Sequence, residues 1–286
     1  MRQATILEVA LNGPWGPQRQ PGMPVSVQAI VAEGIACAKA GAAVIHVHPY
    51  DEGTGRQRDE HGLYAAIIDG IRAEVDALVY PTAPFVDDDG LERYAVTERL
   101  AREARIEWAT VDPGSLNMAR LDEIDAGQWG FVYRNSGPAL AAGLAMARAT
   151  GLRPSFACYE PGQLRFGHAM HNAHPGCPEA IYRLMFSQEF AFGLPPTPWA
   201  LRAWAELIES LGITAPVMVA GLGVDIRPLI PEAVRRGWHV RVGKEDAPFG
   251  HPLSNVGWVQ QAAQAIRQAG GELATPTDLR RSSDPS

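Results

Sequence analysis

Features that define several other protein classes are missing from this sequence of 286 residues. It has three cysteines, Cys37, Cys158 and Cys177, which are widely spaced and form no Cys-x-x-Cys pair. We interpret them as reduced thiols, which are typical of a cytosolic protein. No stretch of about 18 to 20 apolar residues occurs, and the N-terminus lacks the apolar core of a signal peptide. We therefore expect a cytoplasmic protein with no membrane partner.

Basic residues are also in short supply. The chain has 25 lysines and arginines against 32 acidic residues, a net charge of −7, and no run of basic side chains. Binding to nucleic acid or to an anionic membrane needs a concentrated basic surface. The composition therefore indicates that nucleic acid is not a partner. A share of 46% apolar and 20% charged residues is instead typical of a globular enzyme with a large core.

What the chain does contain is a regular alternation of strand-like and helix-like segments. Runs rich in β-branched and apolar residues fall near 5–11, 43–48, 77–82, 106–111, 153–159, 185–193, 215–220 and 238–243. Helix-like stretches lie between them, near 26–40, 61–75, 91–104, 137–150, 198–212, 228–237 and 253–269. In the first of these helices, Val27, Ile30 and Val31 recur at helical spacing, and Gly41 follows as a stop signal.

Eight strands that alternate with helices predict an α/β fold, a closed (β/α)8 TIM barrel in a single domain. We place this barrel at residues 1–276 and predict a flexible C-terminal tail at 277–286. An open doubly wound sheet is the structural alternative. It would be favoured by a Gly-x-Gly-x-x-Gly turn after the first strand, but Leu11-Asn-Gly-Pro-Trp-Gly16 lacks that spacing.

The segment Gly41-Ala-Ala-Val-Ile-His-Val-His48 is an apolar strand that ends in two histidines. Alternate side chains of a strand share a face, so His46 and His48 point the same way. Neutral imidazole is the commonest zinc ligand, and a catalytic zinc usually has three protein ligands and one open position. The motif therefore indicates half of a metal site, although a pair of hydrogen-bonded histidines at a strand end also fits it.

Active sites of such barrels form at the C-terminal ends of the strands, so the polar residues at those ends belong together. They are Asn12, His46, His48, Thr82, Thr110, Asp112, Glu160, Arg241, Glu245 and Asp246. Threonine, asparagine and the segments that begin at Asp112 and Glu160 also fit local turn or backbone roles. The eighth strand differs because it ends in an arginine and two adjacent carboxylates, and Glu245 could supply the oxygen ligand that the two histidines lack.

Several segments together carry a family resemblance. They are the histidine strand followed by Thr54-Gly-Arg56, then Thr-Val-Asp-Pro-Gly-Ser-Leu-Asn at 110–117, Val-Ala-Gly-Leu-Gly at 219–223, and His-Val-Arg-Val-Gly-Lys-Glu-Asp at 239–246. In these segments the chain resembles the β-keto acid cleavage enzymes, typified by 3-keto-5-aminohexanoate cleavage enzyme. The resemblance covers nearly the whole chain, and the spacing of Arg241, Glu245 and Asp246 is its most specific element.

The resemblance implies a zinc-dependent barrel enzyme that condenses a β-keto acid with acetyl-CoA, giving acetoacetate and a new acyl-CoA. By position, His46, His48 and Glu245 match the family's zinc ligands, and Asp246 with Arg241 match its proton-transferring pair. This chemistry passes through an enolate, which a Lewis-acidic cation stabilises and a nearby carboxylate forms by removing a proton. The resemblance also implies a homo-oligomer, namely a tetramer.

Five further residues are candidates for substrate contact, namely Asn12, Trp15, Thr82, Thr110 and Ala157. Thr82 and Thr110 match residues near the substrate in the family. Trp15 and Ala157 stand where the amino-substrate enzymes of the family have carboxylates that meet an ammonium group. Because an ammonium without a counter-charge is costly in a dry pocket, the resemblance implies a β-keto acid with a neutral or apolar tail.

Two other functions stay open on the sequence. A zinc-dependent barrel hydrolase can also use a His-x-His pair, although hydrolases of the amidohydrolase kind carry it on the first strand rather than the second. A non-catalytic protein that binds a small acid or a metal is less favoured, because Arg241, Glu245 and Asp246 are all intact. His168, His171 and His174 lack a nearby carboxylate, and we interpret them as a polar surface rather than a second metal site.

Overall fold

The computed structural model describes residues 4–84 and 91–281. The strands are β1 (Leu7–Ala10), β2 (Val44–Val47), β3 (Tyr50–Asp51), β4 (Arg56–Gln57), β5 (Leu78–Pro81), β6 (Trp108–Thr110), β7 (Leu116–Met118), β8 (Phe131–Tyr133), β9 (Arg153–Cys158), β10 (Ile181–Ser187), β11 (Val217–Leu222) and β12 (His239–Val242). The helices are α1 (Val27–Ala40), α2 (His61–Arg72), α3 (Ala95–Arg102), α4 (Leu121–Asp125), α5 (Gly137–Thr150), α6 (Pro161–Asn172), α7 (Pro198–Ser210), α8 (Ile230–Arg235), α9 (Asn255–Gln268) and α10 (Pro276–Arg281).

Eight strands form one parallel sheet in the order β5-β2-β1-β12-β11-β10-β9-β6. The two outermost strands, β5 and β6, also contact each other, so the sheet nearly closes into a barrel with the helices around it. The predicted single-domain (β/α)8 barrel is confirmed. In the register of this sheet, Glu8 lies beside both Val44 and Arg241, and His46 lies beside both Ala10 and Tyr80.

Capping residues explain where the first helix begins and ends. The Ser26 hydroxyl accepts a hydrogen bond from the Ala29 amide (3.1 Å), which satisfies one of the free N–H groups of the first turn. At the other end Gly41 has φ of +120°, a backbone conformation that only glycine adopts at low cost. The turn then leads directly into β2, the strand that carries the two histidines.

Two local predictions need correction. The sixth barrel strand is Ile181–Ser187 rather than 185–193, because the apolar residues Phe190 and Phe192 pack in a loop cluster and not in the sheet. Glu160, interpreted as the start of a turn, directly precedes helix α6. Its amide donates to the Gln163 side chain (3.2 Å), and Pro161 suits the first turn because the missing N–H has no helical partner there.

The N-terminal end of the barrel is closed by the last part of the chain. Thr5 and Leu273 form a parallel bridge, and Leu279 of helix α10 is buried against the apolar floor of the barrel. Residues 277–281, assigned to a flexible tail from their polarity, belong instead to helix α10. The single apolar residue Leu279 holds this helix in place. Residues 282–286 lie outside the described residues.

Two short antiparallel ribbons, β3–β4 and β7–β8, extend the loops at the C-terminal end of the barrel. The first follows β2 and brings Gln57 against His48, and the second follows β6 and brings Tyr133 against Asp112. Strands of two or three residues are too short to show a hydrophobic period, which is why the sequence did not indicate them. None of the helices in the described ranges is long and apolar enough to cross a membrane.

Candidate metal centre and substrate pocket

A pocket of about 520 Å³ opens at the C-terminal ends of the barrel strands. Most of the polar strand-end residues named above contribute to its wall. The lining side chains are Pro14, Trp15, Arg19, His46, His48, Thr82, Ala83, Thr110, Asp112, Met118, Phe131, Val132, Tyr133, Arg134, Tyr159, Arg183, Leu222 and Glu245. The pocket thus combines a polar side, formed from β2 and β12, with apolar side chains from the loops.

Three buried side chains converge in this pocket, and together they could hold a metal ion. The Nε2 atoms of His46 and His48 are 3.2 Å apart. The Oε2 atom of Glu245 lies 3.5 Å from the first and 3.4 Å from the second. The three predicted ligands therefore present one donor atom each to a common point.

The spacing of these atoms fits a tetrahedral cation. Ligand atoms that bind zinc at about 2.0–2.1 Å in tetrahedral geometry lie about 3.3–3.4 Å from one another. The Glu245 Oε2 atom is buried and has no hydrogen-bond partner among the described residues. Coordination to a cation would take the place of the missing hydrogen bond. A single proton on His48 could be directed to His46 or to this oxygen but not to both at once, whereas a cation between the three atoms would contact all of them.

A glycine allows the β12 loop to place Glu245 beside the histidines. Gly243 has φ of +142°, and a side chain at this position would clash with the carbonyl group of Ala10 on the neighbouring strand. The close approach lets the Glu245 amide reach the same carbonyl oxygen at 3.3 Å. Because only glycine permits this contact, the Gly243 position is part of the ligand geometry.

Hydrogen bonds behind the ligands orient His48. Its Nδ1 lies 2.8 Å from the Gln57 Oε1 atom, and the Gln57 amide donates in turn to Asp59. A ring that donates from Nδ1 leaves the Nε2 lone pair for a metal. The Asn12 side chain accepts from the His48 amide (3.0 Å) and donates to the His48 carbonyl oxygen (2.7 Å). Asn12 does not line the pocket, so the structure places this predicted substrate contact behind the candidate metal ligands instead.

Arg241 lies in the centre of the barrel and contacts three carboxylates. Its Nε and Nη2 atoms donate to both oxygens of Asp246 (2.8 Å each), and Nη1 donates to Glu8 (3.2 Å). Nη2 also lies 2.9 Å from Glu245 Oε1. One guanidinium therefore faces three buried carboxylates. A divalent cation at the ligand atoms would compensate the two negative charges that remain.

Burial and these charges shift the pKa values of the ligands. Burial lowers the pKa of His46 well below its usual range, which leaves a neutral ring with a free lone pair. Burial alone would raise the pKa of Glu245, but the charges of Arg241, His48 and His46 outweigh it and hold that pKa well below its usual range. Glu245 is therefore a carboxylate at neutral pH, as a metal ligand must be.

Asp246 differs from its neighbour Glu245 in both position and acidity. Burial raises its pKa to about 6, although the bidentate bond from Arg241 acts in the opposite direction. A carboxylate whose pKa is near neutrality suits general-base catalysis. Its side chain is 3% exposed and does not line the pocket, since Arg241 holds both of its oxygens.

The remaining candidate substrate residues lie at different depths. Thr82 and Thr110 line the pocket, and the Thr110 hydroxyl donates to the Pro81 carbonyl oxygen (2.9 Å). Trp15 forms a wall, and its indole N–H donates to the Glu245 carbonyl oxygen (2.8 Å). Ala157 is buried in the barrel and does not line the pocket, but its amide lies 3.2 Å from Asp112 Oδ1.

Three polar residues near the site were not recognised as functional candidates from the sequence. They are Glu8, Tyr80 and Arg183. Tyr80 donates to Glu8 (2.6 Å) below the ligands, while Asp112 and Arg183 line the opposite wall of the pocket. Glu8, Tyr80 and Arg183 are single polar residues inside otherwise apolar strands. Their inward direction, which is visible only in the closed barrel, shows that they belong to the site.

Comparison with known proteins agrees with the fold and the site geometry described above. A family model of the beta-keto acid cleavage enzymes matches residues 4–283. The 3-dehydrocarnitine:acetyl-CoA trimethylamine transferase of Rhizobium meliloti is 27% identical over 279 residues, which cover 91% of this chain and 89% of that protein. The 3,5-dioxohexanoate:acetyl-CoA acetone transferase of Paraburkholderia graminis is 27% identical over 288 residues, with coverage of 92% and 90%.

Solved structures support the fold independently. The binary complex of ObcA with oxaloacetate matches with a TM-score of 0.71 at 15% identity, and the match covers 92% of this chain and 67% of that one. At this identity the likeness shows the barrel alone. The family match, in contrast, spans the histidine strand, the polar strand ends and the Arg241–Asp246 segment. By this match over almost its full length, the chain belongs to the beta-keto acid cleavage enzyme family.

Proposed function

We propose that this protein is a zinc-dependent acyltransferase that condenses a β-keto acid with acetyl-CoA and releases acetoacetate and a new acyl-CoA. The observation that carries the proposal is the convergence of one donor atom each from His46, His48 and Glu245 in the pocket of a chain of this family. Two imidazoles and a carboxylate form a donor set that zinc commonly takes in catalytic sites. A cytoplasmic location and a homotetramer stay predictions.

When bound, the metal would supply a Lewis acid that polarises a carbonyl oxygen of the substrate. Asp246 would remove a proton from the carbon between the keto and carboxylate groups, and its pKa of about 6 leaves it ionised at neutral pH. Arg241 would position Asp246, because its bidentate bond fixes the direction of the carboxylate. Since Asp246 lies behind the pocket wall, this role requires a side-chain rotation or a bridging water.

The pocket favours an uncharged substrate tail over an ammonium group. Trp15 packs against Phe190 and Phe249, with ring centroids 5.7 and 5.2 Å apart, and forms an apolar wall. Asp112 is the acid on the opposite side, but its oxygens already accept from the Tyr133 hydroxyl (2.6 Å) and the Ala157 amide (3.2 Å). An ammonium group that contacts Asp112 would thus compete with hydrogen bonds that this carboxylate already accepts, which is unfavourable.

The decisive experiment incubates the purified, zinc-loaded protein with acetyl-CoA and a panel of β-keto acids while acetoacetate and new thioesters are followed. We expect equal amounts of both products, and we expect 3-ketohexanoate to be preferred over 3-keto-5-aminohexanoate by more than the roughly 10- to 200-fold that one methylene supplies. Hydrolysis without transfer to CoA would instead indicate a hydrolase. A preference for the amino compound would contradict the proposed tail specificity.

A further inference from the structure

Arg183 is a buried cation of the pocket that the scheme above leaves without a role. It lies on β10 inside the barrel, and its side chain is 3% exposed. Two other arginines line the pocket, Arg19 and Arg134, and both are exposed. Among the pocket-lining residues that the structure describes, Arg183 is therefore the one deeply buried positive charge.

The hydrogen bonds of Arg183 are incomplete. Its Nη2 atom donates to the Ser155 carbonyl oxygen at 3.4 Å, near the upper limit for a hydrogen bond, and lies 3.8 Å from Asp112 Oδ1. Its Nε atom is buried without a partner among the described residues. A guanidinium carries five donors, and leaving buried donors unpaired is unfavourable. The group is thus prepared for an acceptor that the chain itself does not provide.

The donors of Arg241, in contrast, have partners. Its Nε, Nη1 and Nη2 atoms all donate to carboxylates of Glu8, Glu245 and Asp246 at 3.2 Å or less. This guanidinium has little capacity left for a substrate oxygen. The two buried arginines therefore divide their tasks, since Arg241 holds protein carboxylates and Arg183 keeps donors available.

The position of Arg183 faces the candidate metal centre. In the eight-stranded order, β10 is the fourth strand away from β2, so the two strands stand on opposite sides of the nearly closed barrel. His46 on β2 and Arg183 on β10 both line the pocket between them. A β-keto acid carries its ketone and carboxylate oxygens on carbons two bonds apart, so a molecule of this class offers one oxygen group to each side.

We propose that Arg183 binds the carboxylate group of the β-keto acid and so determines which end of the substrate faces the ligand triad. This inference rests on the proposed function. Asp112 acts as a positioning residue for Arg183, and the Tyr133 hydroxyl and the Ala157 amide fix Asp112 in turn. Recognition of the substrate class then depends on the carboxylate, which every β-keto acid has. The substrate tail contacts the apolar wall and not Arg183.

The test uses equilibrium binding of two probes to the zinc-loaded protein. Acetoacetate carries the carboxylate, whereas its neutral methyl ester keeps the ketone and the chain. We expect Arg183→Met to weaken acetoacetate binding by roughly 10- to 100-fold, the value of a hydrogen-bonded charge pair, and to leave the ester unchanged. Arg183→Lys should recover part of the loss. Arg235→Met, which removes an exposed arginine of helix α8 outside the pocket lining, should bind both probes as the wild type does.

Several results would overturn the inference. Unchanged acetoacetate binding in Arg183→Met would show that another group holds the carboxylate. Equal weakening of both probes, or loss of zinc, would assign Arg183 a structural role only. A wild type that binds acetoacetate no more tightly than the ester would also contradict it. Because binding is measured without turnover, failure here is distinguishable from failure of the proposed reaction, which would appear as missing thioester with the wild-type enzyme.

Discussion

The two ends of the barrel are built from the same strands but have opposite chemistry. We call the polar end the layer with His46, His48, Tyr80, Arg183, Arg241 and Glu245, and the apolar end the layer with Ile6, Val44, Leu78, Trp108, Ile181, Met218, His239 and Leu279. On three strands the change from an apolar to a polar side chain takes two residues, which is one pleat. The pairs are Val44 and His46, Leu78 and Tyr80, and Ile181 and Arg183. On β12 the buried His239 lies in the lower layer, two residues before Arg241.

This difference shows that the residues that stabilise the fold and the residues that form the candidate site lie in successive layers of the same barrel. Side chains two residues apart share a face of a strand, so both members of each pair point into the barrel. The apolar end removes side chains such as Trp108 and Met218 from water, which stabilises the fold. The polar end holds buried charges that stabilise little without a ligand. Substitutions one pleat apart should therefore have separable effects.

The largest expected effect comes from His46→Ala. Loss of one of three ligands should remove the metal and bring turnover below detection. Val44→Ala is the matched control, because it lies one pleat below on the same strand and should lower the melting temperature while keeping metal and turnover. Metal analysis, calorimetry and thioester formation check both variants. Equal metal content in His46→Ala and wild type would refute the assigned site.

The next effect is expected for Asp246→Asn. The amide keeps the shape but cannot accept the proton, so turnover should fall by about 10²–10⁴-fold while the metal stays bound. Asp225→Asn, which alters an acid paired with Arg227 outside the pocket lining, should keep wild-type turnover. Steady-state kinetics with parallel metal analysis decide the matter. Turnover near the wild-type value in Asp246→Asn would assign the proton transfer to another group.

A smaller effect is expected behind the ligands. Gln57→Leu removes the acceptor for His48 Nδ1 and should weaken metal affinity by roughly 10- to 100-fold. Gln57→Glu keeps an acceptor in place and should bind the metal more tightly than Gln57→Leu. Competition with a chromophoric chelator measures both affinities. If the two variants bind the metal equally, the orientation of His48 does not depend on this hydrogen bond.

The last effect belongs to the apolar end, leaves metal binding and turnover at pH 7 unchanged, and appears only in acid. His239 accepts a hydrogen bond from the Ile6 amide (3.1 Å), and burial lowers its pKa from 6.5 to about 4. Above pH 6.5 the ring is neutral in both folded and unfolded chains and has no pH-dependent effect. Between pH 6.5 and 4 the unfolded chain takes up the proton first, so stability falls by about 3 kcal/mol as the pH decreases.

His239→Asn tests this because asparagine can accept the same bond but does not titrate. The difference in unfolding free energy between the variant and wild type should shift in favour of the variant on going from pH 7 to pH 4. Turnover at pH 7 should be unchanged. Urea titrations at both pH values measure the difference, and a constant difference would mean that His239 does not titrate on unfolding.

The sequence predicted that His46, His48 and Glu245 come together, because their positions follow simple patterns. His46 and His48 alternate on one strand, and Glu245 lies just past another strand end. Arg183 escaped notice because the sixth strand was placed from residue 185 onward, which left this arginine in a loop. The strand is in fact Ile181–Ser187, and the Arg183 side chain points from it into the barrel. The apolar residues in the loop after Ser187 made the strand seem to extend further along the sequence.

Contacts between distant segments mark the limit of such prediction. Asn12 was correctly located after the first strand, but only the folded loop shows that its amide is used by the backbone of His48. Ala157 contributes through its backbone N–H rather than its side chain, a role that residue type cannot indicate. Conversely, helix α10 was missed because one buried leucine, Leu279, leaves no helical period to detect.

The hydrogen bond from the Trp15 indole to the Glu245 carbonyl oxygen joins the substrate wall to the ligand backbone. Acquiring a new substrate tail by replacing Trp15 would therefore also loosen the loop that presents Glu245. We therefore expect the substrate range of related proteins to change in steps. Each replacement of residue 15 should come together with, or after, a second substitution that restores the loop. Laboratory evolution toward bulkier acids would then select pairs of substitutions, one in the wall and one near Gly243, more often than single ones.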